Sequence, residues 1–169
     1  MSIEINAQLL ERIYNHGESA YPDEGAGLLL GEVLEDRWRI TEILPLNNSR
    51  EEAVRHNRYL ITADDMMLGE EYAERQGLDV LGVFHSHPDH PDQPSEFDRQ
   101  WALPWYCYLI TSVQAGQAVS SRLWRLAEDR SQFTEVKGVI QDKQTGKDKS
   151  GRHRPAKQLS TVPGDNRVE

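Results

Sequence analysis

Two histidines one residue apart, with a carboxylate eleven residues after the second, are the part of this chain best suited to chemistry: His85, His87 and Asp98. The apolar run Val80-Leu81-Gly82-Val83-Phe84 reads as a buried strand that delivers both histidines at its C-terminal end. Positions i and i+2 of a strand share a face, so the two rings can aim at one point. Pro88 has no N–H and ends the ladder there. Two imidazoles and a carboxylate make a three-ligand zinc set with a fourth position left for water, the arrangement of catalytic rather than structural sites. Such a water needs a base, and two glutamates compete for the role. Glu24 stands at the mouth of a glycine-rich strand, Glu96 beside the ligand segment, and spacing does not separate them.

The same residues have plainer readings. His-x-His on a strand can be packing. Ser95-x-x-Asp98 is also a capping-box pattern, with Ser95 as N-cap. Asp89, His90 and Asp92 read as solvated, or as tuning the entrance to the site. His16 and His56 read as surface or helix-end histidines. Cys107, in mid-strand, reads as a small buried residue.

The elements that position these groups follow from periodicity. Ser2 to Ile5 forms a short strand, and Asn6 caps a helix whose stripe is Leu9, Leu10, Ile13 and Tyr14, ended or loosened at His16-Gly17. Glu24 to Val33 is a buried strand needing close backbone approach near its start, paired through Glu35-Asp36 with Trp38 to Ile43 and onward to Leu46. Arg50 to Asn57 is a charged connection, and Tyr59-Leu60-Ile61 a short strand. Thr62 caps a helix over Ala63 to Gln76, with Met66, Met67, Leu68 and Tyr72 as packing residues and Gly77 as terminator. A helix from Ser95 to Ala102 follows the histidine strand. Tyr106 to Thr111 and Ser121 to Leu126 are strands around a turn at 114–117, and Phe133 to Val136 closes the sheet. The fold class is α/β in the broad sense (α+β): a mixed, mainly antiparallel sheet flanked by two or three helices.

A chain of 169 residues is about one domain with a real core. The domain is expected over 1–140, with 141–169 a basic, disordered tail in which seven basic side chains face four acidic ones. A net charge of −9 argues against general nucleic-acid binding. No apolar run reaches the roughly 18–20 residues of a membrane span, and no signal peptide is evident. One cysteine excludes an internal disulfide and fits a reducing, cytoplasmic setting.

His85-x-His87, seven residues, Ser95, two residues and Asp98 match the full JAMM signature of MPN-domain metalloproteases, and Glu24-Gly25-Ala26-Gly27-Leu28-Leu29-Leu30-Gly31 is similar to that family's glutamate segment. The resemblance runs from about Ile3 to Val139. It implies a cytidine-deaminase-like MPN fold, zinc held by His85, His87 and Asp98, Glu24 as general acid/base, and Ser95 as donor to the oxyanion. One departure is Ala26, where many small relatives have Cys. The segments Gly82 to Pro88, Pro94 to Asp98 and Ala102 to Tyr106 resemble the short bacterial Mec-type peptidases. That implies hydrolysis after the Gly-Gly end of a ubiquitin-like sulfur carrier (ThiS-, MoaD- or CysO-like), releasing cysteine or a short extension. The substrate tail is expected to bind extended along a strand edge, flanked by 48–59. An isopeptidase freeing a ubiquitin-like modifier from lysines is the second reading, and a non-catalytic MPN scaffold the third.

Overall fold

The computed structural model describes residues 1–47 and 61–141. The expected connection at 50–57, His56, the Tyr59-Leu60 part of the expected short strand, the flanking segment 48–59 and the tail from Asp142 onward lie outside these residues. Ile61 is described and is not in a strand.

Seven strands and three helices are present among the described residues. In chain order they are β1 (Ser2–Asn6), α1 (Ala7–Ala20), β2 (Ala26–Val33), β3 (Arg37–Leu46), α2 (Ala63–Gln76), β4 (Asp79–Pro88), α3 (Glu96–Trp101), β5 (Cys107–Gln114), β6 (Gln117–Leu126) and β7 (Phe133–Gln141). The α+β class and the mixed sheet hold, but the sheet does not stay open. It closes into a barrel in the order β1-β3-β2-β4-β5-β6-β7. The expected Phe133–Val136 strand is the start of a longer one, and its continuation from Lys137 to Gln141 pairs in parallel with β1. Of the seven strand pairs, β1–β3, β1–β7 and β4–β5 are parallel and the other four antiparallel.

Alternation along β2 sorts its side chains onto two faces. Leu29 joins one buried cluster with Leu9, Leu10, Ile13 and Tyr14 of α1. Leu28 and Leu30 join a second with Ala73 of α2. Each fully buried side chain of this kind contributes about 1.5–3 kcal/mol, so α1 is held by its stripe rather than by propensity. That explains why α1 does not stop at His16-Gly17 as the sequence led us to expect. It continues to Ala20, and Gly17 is a contact point: a Cβ there would stand 3.1 Å from the Cβ of Ser86. Capping went as expected, since Asn6 Oδ1 accepts from Leu9 N at 2.8 Å and Thr62 with Asp65 forms a reciprocal box. Met66 and Tyr72 pack against the second cluster, but Met67 and Leu68 are more than half exposed, a correction to their reading as packing residues. No described helix is long and apolar enough to cross a membrane.

Candidate metal centre

A bulge in β4 decides which way the histidines face. Opposite β2, Leu29 pairs with Gly82 but Leu30 with Val80, leaving Leu81 as an extra residue. Before the bulge Val80, and after it Val83, belong to the same buried cluster, although they are three positions apart. From Val83 onward alternation carries His85 and His87 on that face and Ser86 on the other, toward α1. Shifting the register by one residue would exchange the two sets.

Ser86 uses its side to hold β2. Its N–H donates to the Gly25 carbonyl and its Oγ accepts the Gly25 N–H, both at 2.9 Å. His16 contributes from α1, with Nε2 3.1 Å from the Ala26 carbonyl and its ring edge-on to Phe84. It is half-buried and held there near the end of α1, and burial lowers its pKa, so of the two readings the surface one does not hold. Glu24 therefore enters the site buried and fixed at its neighbouring peptide, and its charge favours the protonated form of His87. Glu96 goes elsewhere: it is exposed and paired with Arg99 at 2.6 Å. The two glutamates that spacing left equal thus differ in burial, Glu24 being buried and Glu96 exposed.

Asp98 arrives on α3. Ser95 is the N-cap as read: its Oγ accepts from Asp98 N at 3.1 Å, while its hydroxyl and its N–H both donate to Asp98 Oδ2 at 2.6 Å. The far end of this six-residue helix is tied by Arg130, which sits at φ 60° and donates to the carbonyls of Ala102 and Gln100 at 2.9 Å each. Arg130 was not legible beforehand, because a single arginine in a turn 32 residues downstream of Asp98 carries no local signal.

The three side chains converge. His85 Nε2 lies 3.1 Å from His87 Nε2 and 3.0 Å from Asp98 Oδ1, and His87 Nε2 lies 3.4 Å from Asp98 Oδ2. One ligand atom from each residue falls within 4.8 Å of the others, and all three residues are buried. Ligands arranged tetrahedrally at metal bonds of about 2.0–2.1 Å stand about 3.3 Å apart, so the observed spacings match the edges of such a shell. The hydrogen positions agree. A carbonyl only accepts, so His87 Nδ1, 2.8 Å from the Pro91 carbonyl, carries the hydrogen and turns the Nε2 lone pair toward Asp98. Charge points the same way. Burial works to raise the Asp98 carboxyl, but the two imidazoles outweigh it and hold it well below the usual carboxylate range. Burial depresses His85 more than Asp98 lifts it, whereas at His87 the Asp98 carboxylate overcomes burial and the pKa rises. Two ring nitrogens and a carboxylate this close, out of water, fit a bound cation.

The loop residues correct one expectation. Asp92 is neither solvated nor a ligand, but buried and paired with Arg122 at 2.7 Å. Asp89 and His90 are exposed. Cys107 is fully buried, as read, and burial pushes its thiol up to about 12. A cleft of about 560 Å³ lined by Trp105, Arg125 and Thr134 contains none of the site residues.

Residues 6–127 match the family described as prokaryotic homologs of the JAB domain. Among similar proteins is a Thermus thermophilus protein named as a probable TtuB-protein conjugate cleaving protease, 30% identical over 110 residues that cover 63% of this chain and 70% of that one. A Haloferax volcanii desampylase is 34% identical over 92 residues, 54% of this chain and 63% of its own length, so the chain spans less than two thirds of it. A solution structure of a Salinibacter ruber protein is 39% identical, covers 91% of this chain and 100% of its own, and superposes with a TM-score of 0.65.

Proposed function

The chain belongs to the prokaryotic homologs of the JAB domain, a short JAMM/MPN family, and on that premise we propose that it is a zinc-dependent isopeptidase cleaving the amide bond that joins a ubiquitin-like protein to its conjugate. The observation that carries this reading is the convergence on one buried point of Asp98 from α3 with His85 and His87 from β4, the strand that pairs with the one following Glu24. The names of the Thermus and Haloferax relatives support conjugates as the substrate class. Trimming of a sulfur carrier after its Gly-Gly end is the second reading, favoured by the likeness of the Gly82 to Pro88 segment to Mec-type peptidases.

His85 and His87 would hold the metal through Nε2, and Asp98 through a carboxylate oxygen. When bound, zinc supplies Lewis-acid polarisation of a carbonyl and activation of water near neutral pH. Glu24, buried on the segment that leads into β2, takes the proton from the attacking water and returns it to the leaving amine. Ser95 donates to the developing oxyanion, for which its hydroxyl turns away from Asp98 Oδ2, its acceptor in the resting arrangement. Burial of the cluster keeps competing water from screening these charges.

The test is the intact mass of two substrates incubated with zinc-loaded protein: a ubiquitin-like protein linked to a lysine, and the same protein extended by cysteine after Gly-Gly. Release of the lysine conjugate, absent with Glu24→Gln, supports the proposal. Cleavage of the cysteine extension alone moves the function to carrier trimming. Zinc bound with neither substrate cut would leave the scaffold reading.

A further inference from the structure

The loop between β4 and α3 is held more firmly than a solvated connection requires, and what holds it converges on one peptide plane. The Pro91 carbonyl that accepts from His87 Nδ1 shares a rigid plane with the nitrogen of Asp92. On one side of that plane, Ser112 Oγ donates to the His90 carbonyl at 2.7 Å. On the other, Asp92 is fixed twice. Arg122 Nε and Nη2 both donate to its Oδ1, at 2.9 and 2.7 Å, and Trp124 Nε1 donates to its carbonyl at 3.0 Å. The Arg122 guanidinium in turn lies over the Trp124 ring, 5.2 Å from its centre.

Stability is a poor reason for this arrangement. Asp92 is only 5% exposed, and a buried ion pair roughly cancels its own desolvation cost. Its second oxygen, Oδ2, makes no hydrogen bond among the described residues, so the carboxylate is not placed for greatest satisfaction. What the pair does achieve is to fix the orientation of the carbonyl behind His87. A metal-binding imidazole whose other nitrogen has a fixed acceptor keeps one tautomer and one ring angle.

We infer that Asp92, clamped by Arg122 and Trp124, is a positioning residue for the metal centre, setting metal affinity through the Pro91 carbonyl and the ring of His87. This rests on the reading of His85, His87 and Asp98 as metal ligands. Asp92 itself touches neither metal nor substrate.

The experiment is zinc binding by competition with a chromophoric chelator, for the wild type, Asp92→Ala, Trp124→Phe and a control, Ile3→Val, which loosens the core at β1. Proton NMR of the zinc-loaded, histidine-15N-labelled proteins then follows exchange of the His87 ring N–H with water. Asp92→Ala should weaken zinc binding by about 10–100-fold and speed that exchange. Trp124→Phe, which keeps an aromatic ring beneath Arg122 while removing the N–H and part of the indole, should shift both readings the same way by less. Ile3→Val should match the wild type in both. Folded variants that bind zinc within twofold of wild type, with the ring proton still protected, overturn the inference. So does a control that weakens binding as much as Asp92→Ala. Should Asp92→Ala not fold, Trp124→Phe decides by the same two readings. A wild type that binds no zinc refutes the metal site itself, a different failure from variants that bind equally well.

Discussion

Two capping boxes of nearly the same geometry, one at the site and one away from it, allow the catalytic role assigned to Ser95 to be tested against an internal standard. Thr62 Oγ1 donates to Asp65 Oδ2 at 2.7 Å and accepts from Asp65 N at 3.1 Å; Ser95 makes the same pair with Asp98 at 2.6 and 3.1 Å. Removing either hydroxyl deletes an N-cap, worth about 0.5–2 kcal/mol. The boxes differ in burial. Asp98 is 2% exposed and Asp65 only partly buried, so Ser95→Ala also strips a charge-assisted hydrogen bond from a carboxylate that water cannot reach. Hydrogen bonds to charged groups contribute about 1.5–3 kcal/mol and count for more where water cannot replace them, so Ser95→Ala should be the more destabilising of the two in the metal-free protein. In a thermal melt each kcal/mol is about 2–4 °C for a chain of this size. Turnover separates the roles more sharply. Loss of an oxyanion donor costs about 100–1,000-fold in rate, whereas Thr62→Ala, well below its melting temperature, should stay within twofold of wild type. Both variants are compared by conjugate cleavage at saturating zinc. A Ser95→Ala turnover equal to that of Thr62→Ala would reduce Ser95 to a cap.

Glu24→Gln should slow cleavage by about 100–10,000-fold while elemental analysis still finds the wild-type zinc content; normal turnover would remove Glu24 from the base role. A chelator should abolish cleavage and lower the melting temperature, with zinc restoring both, since a ligand at 100 times its Kd stabilises by about 2.7 kcal/mol. An unshifted melt in excess zinc would refute binding to the folded state. Gly82→Ala should give no folded protein by circular dichroism, because its Cβ would stand 2.0 Å from the Cys107 carbonyl oxygen and force β4 from β5. Cys107 should resist thiol reagents at pH 8 while the chain is folded. Its buried thiol ionises near 12 against an ordinary 9.0, so the unfolded chain loses that proton first, and this contribution to stability falls as pH rises from 9.0 toward 12. Rapid labelling of folded protein would refute that burial.

The site was legible where chemistry and local structure coincide. His85 and His87 announce themselves by strand parity, Asp98 by sitting at a helix start, and Thr62, Gly77 and Asn6 by caps that depend only on near neighbours. What could not be read is what arrives from far along the chain. Asp92 looked solvated because its partner, Arg122, is 30 residues away on β6. The one available signal was that Arg122 and Trp124, two apart on a strand, had to face something in common. Gly17 looked like a helix end because its local cost in a helix is visible and its contact with Ser86 is not. Glu24 and Glu96 were equal on spacing, and only the burial of one and the Arg99 pairing of the other divided them. Barrel closure was hidden for the same reason, since it depends on Lys137 to Gln141 meeting β1.

That closure sets an order of events during synthesis. The five site residues lie between positions 24 and 98, but Ile3 cannot meet Gly138 until β7 has been made. From Asp98 to the start of β7 at Phe133 the ribosome adds 35 residues, about 2–7 s at roughly 5–20 residues per second. Through that interval β1 and the newest strand present open edges, and the carboxylate helix lacks the guanidinium that ties down its end. Arg130 emerges three residues ahead of β7, so the ligand helix is secured and the ring shut almost together. A nascent chain stalled before that point would carry His85, His87 and Asp98 yet not the frame that brings them together, so the proposed metal site would be completed late in synthesis.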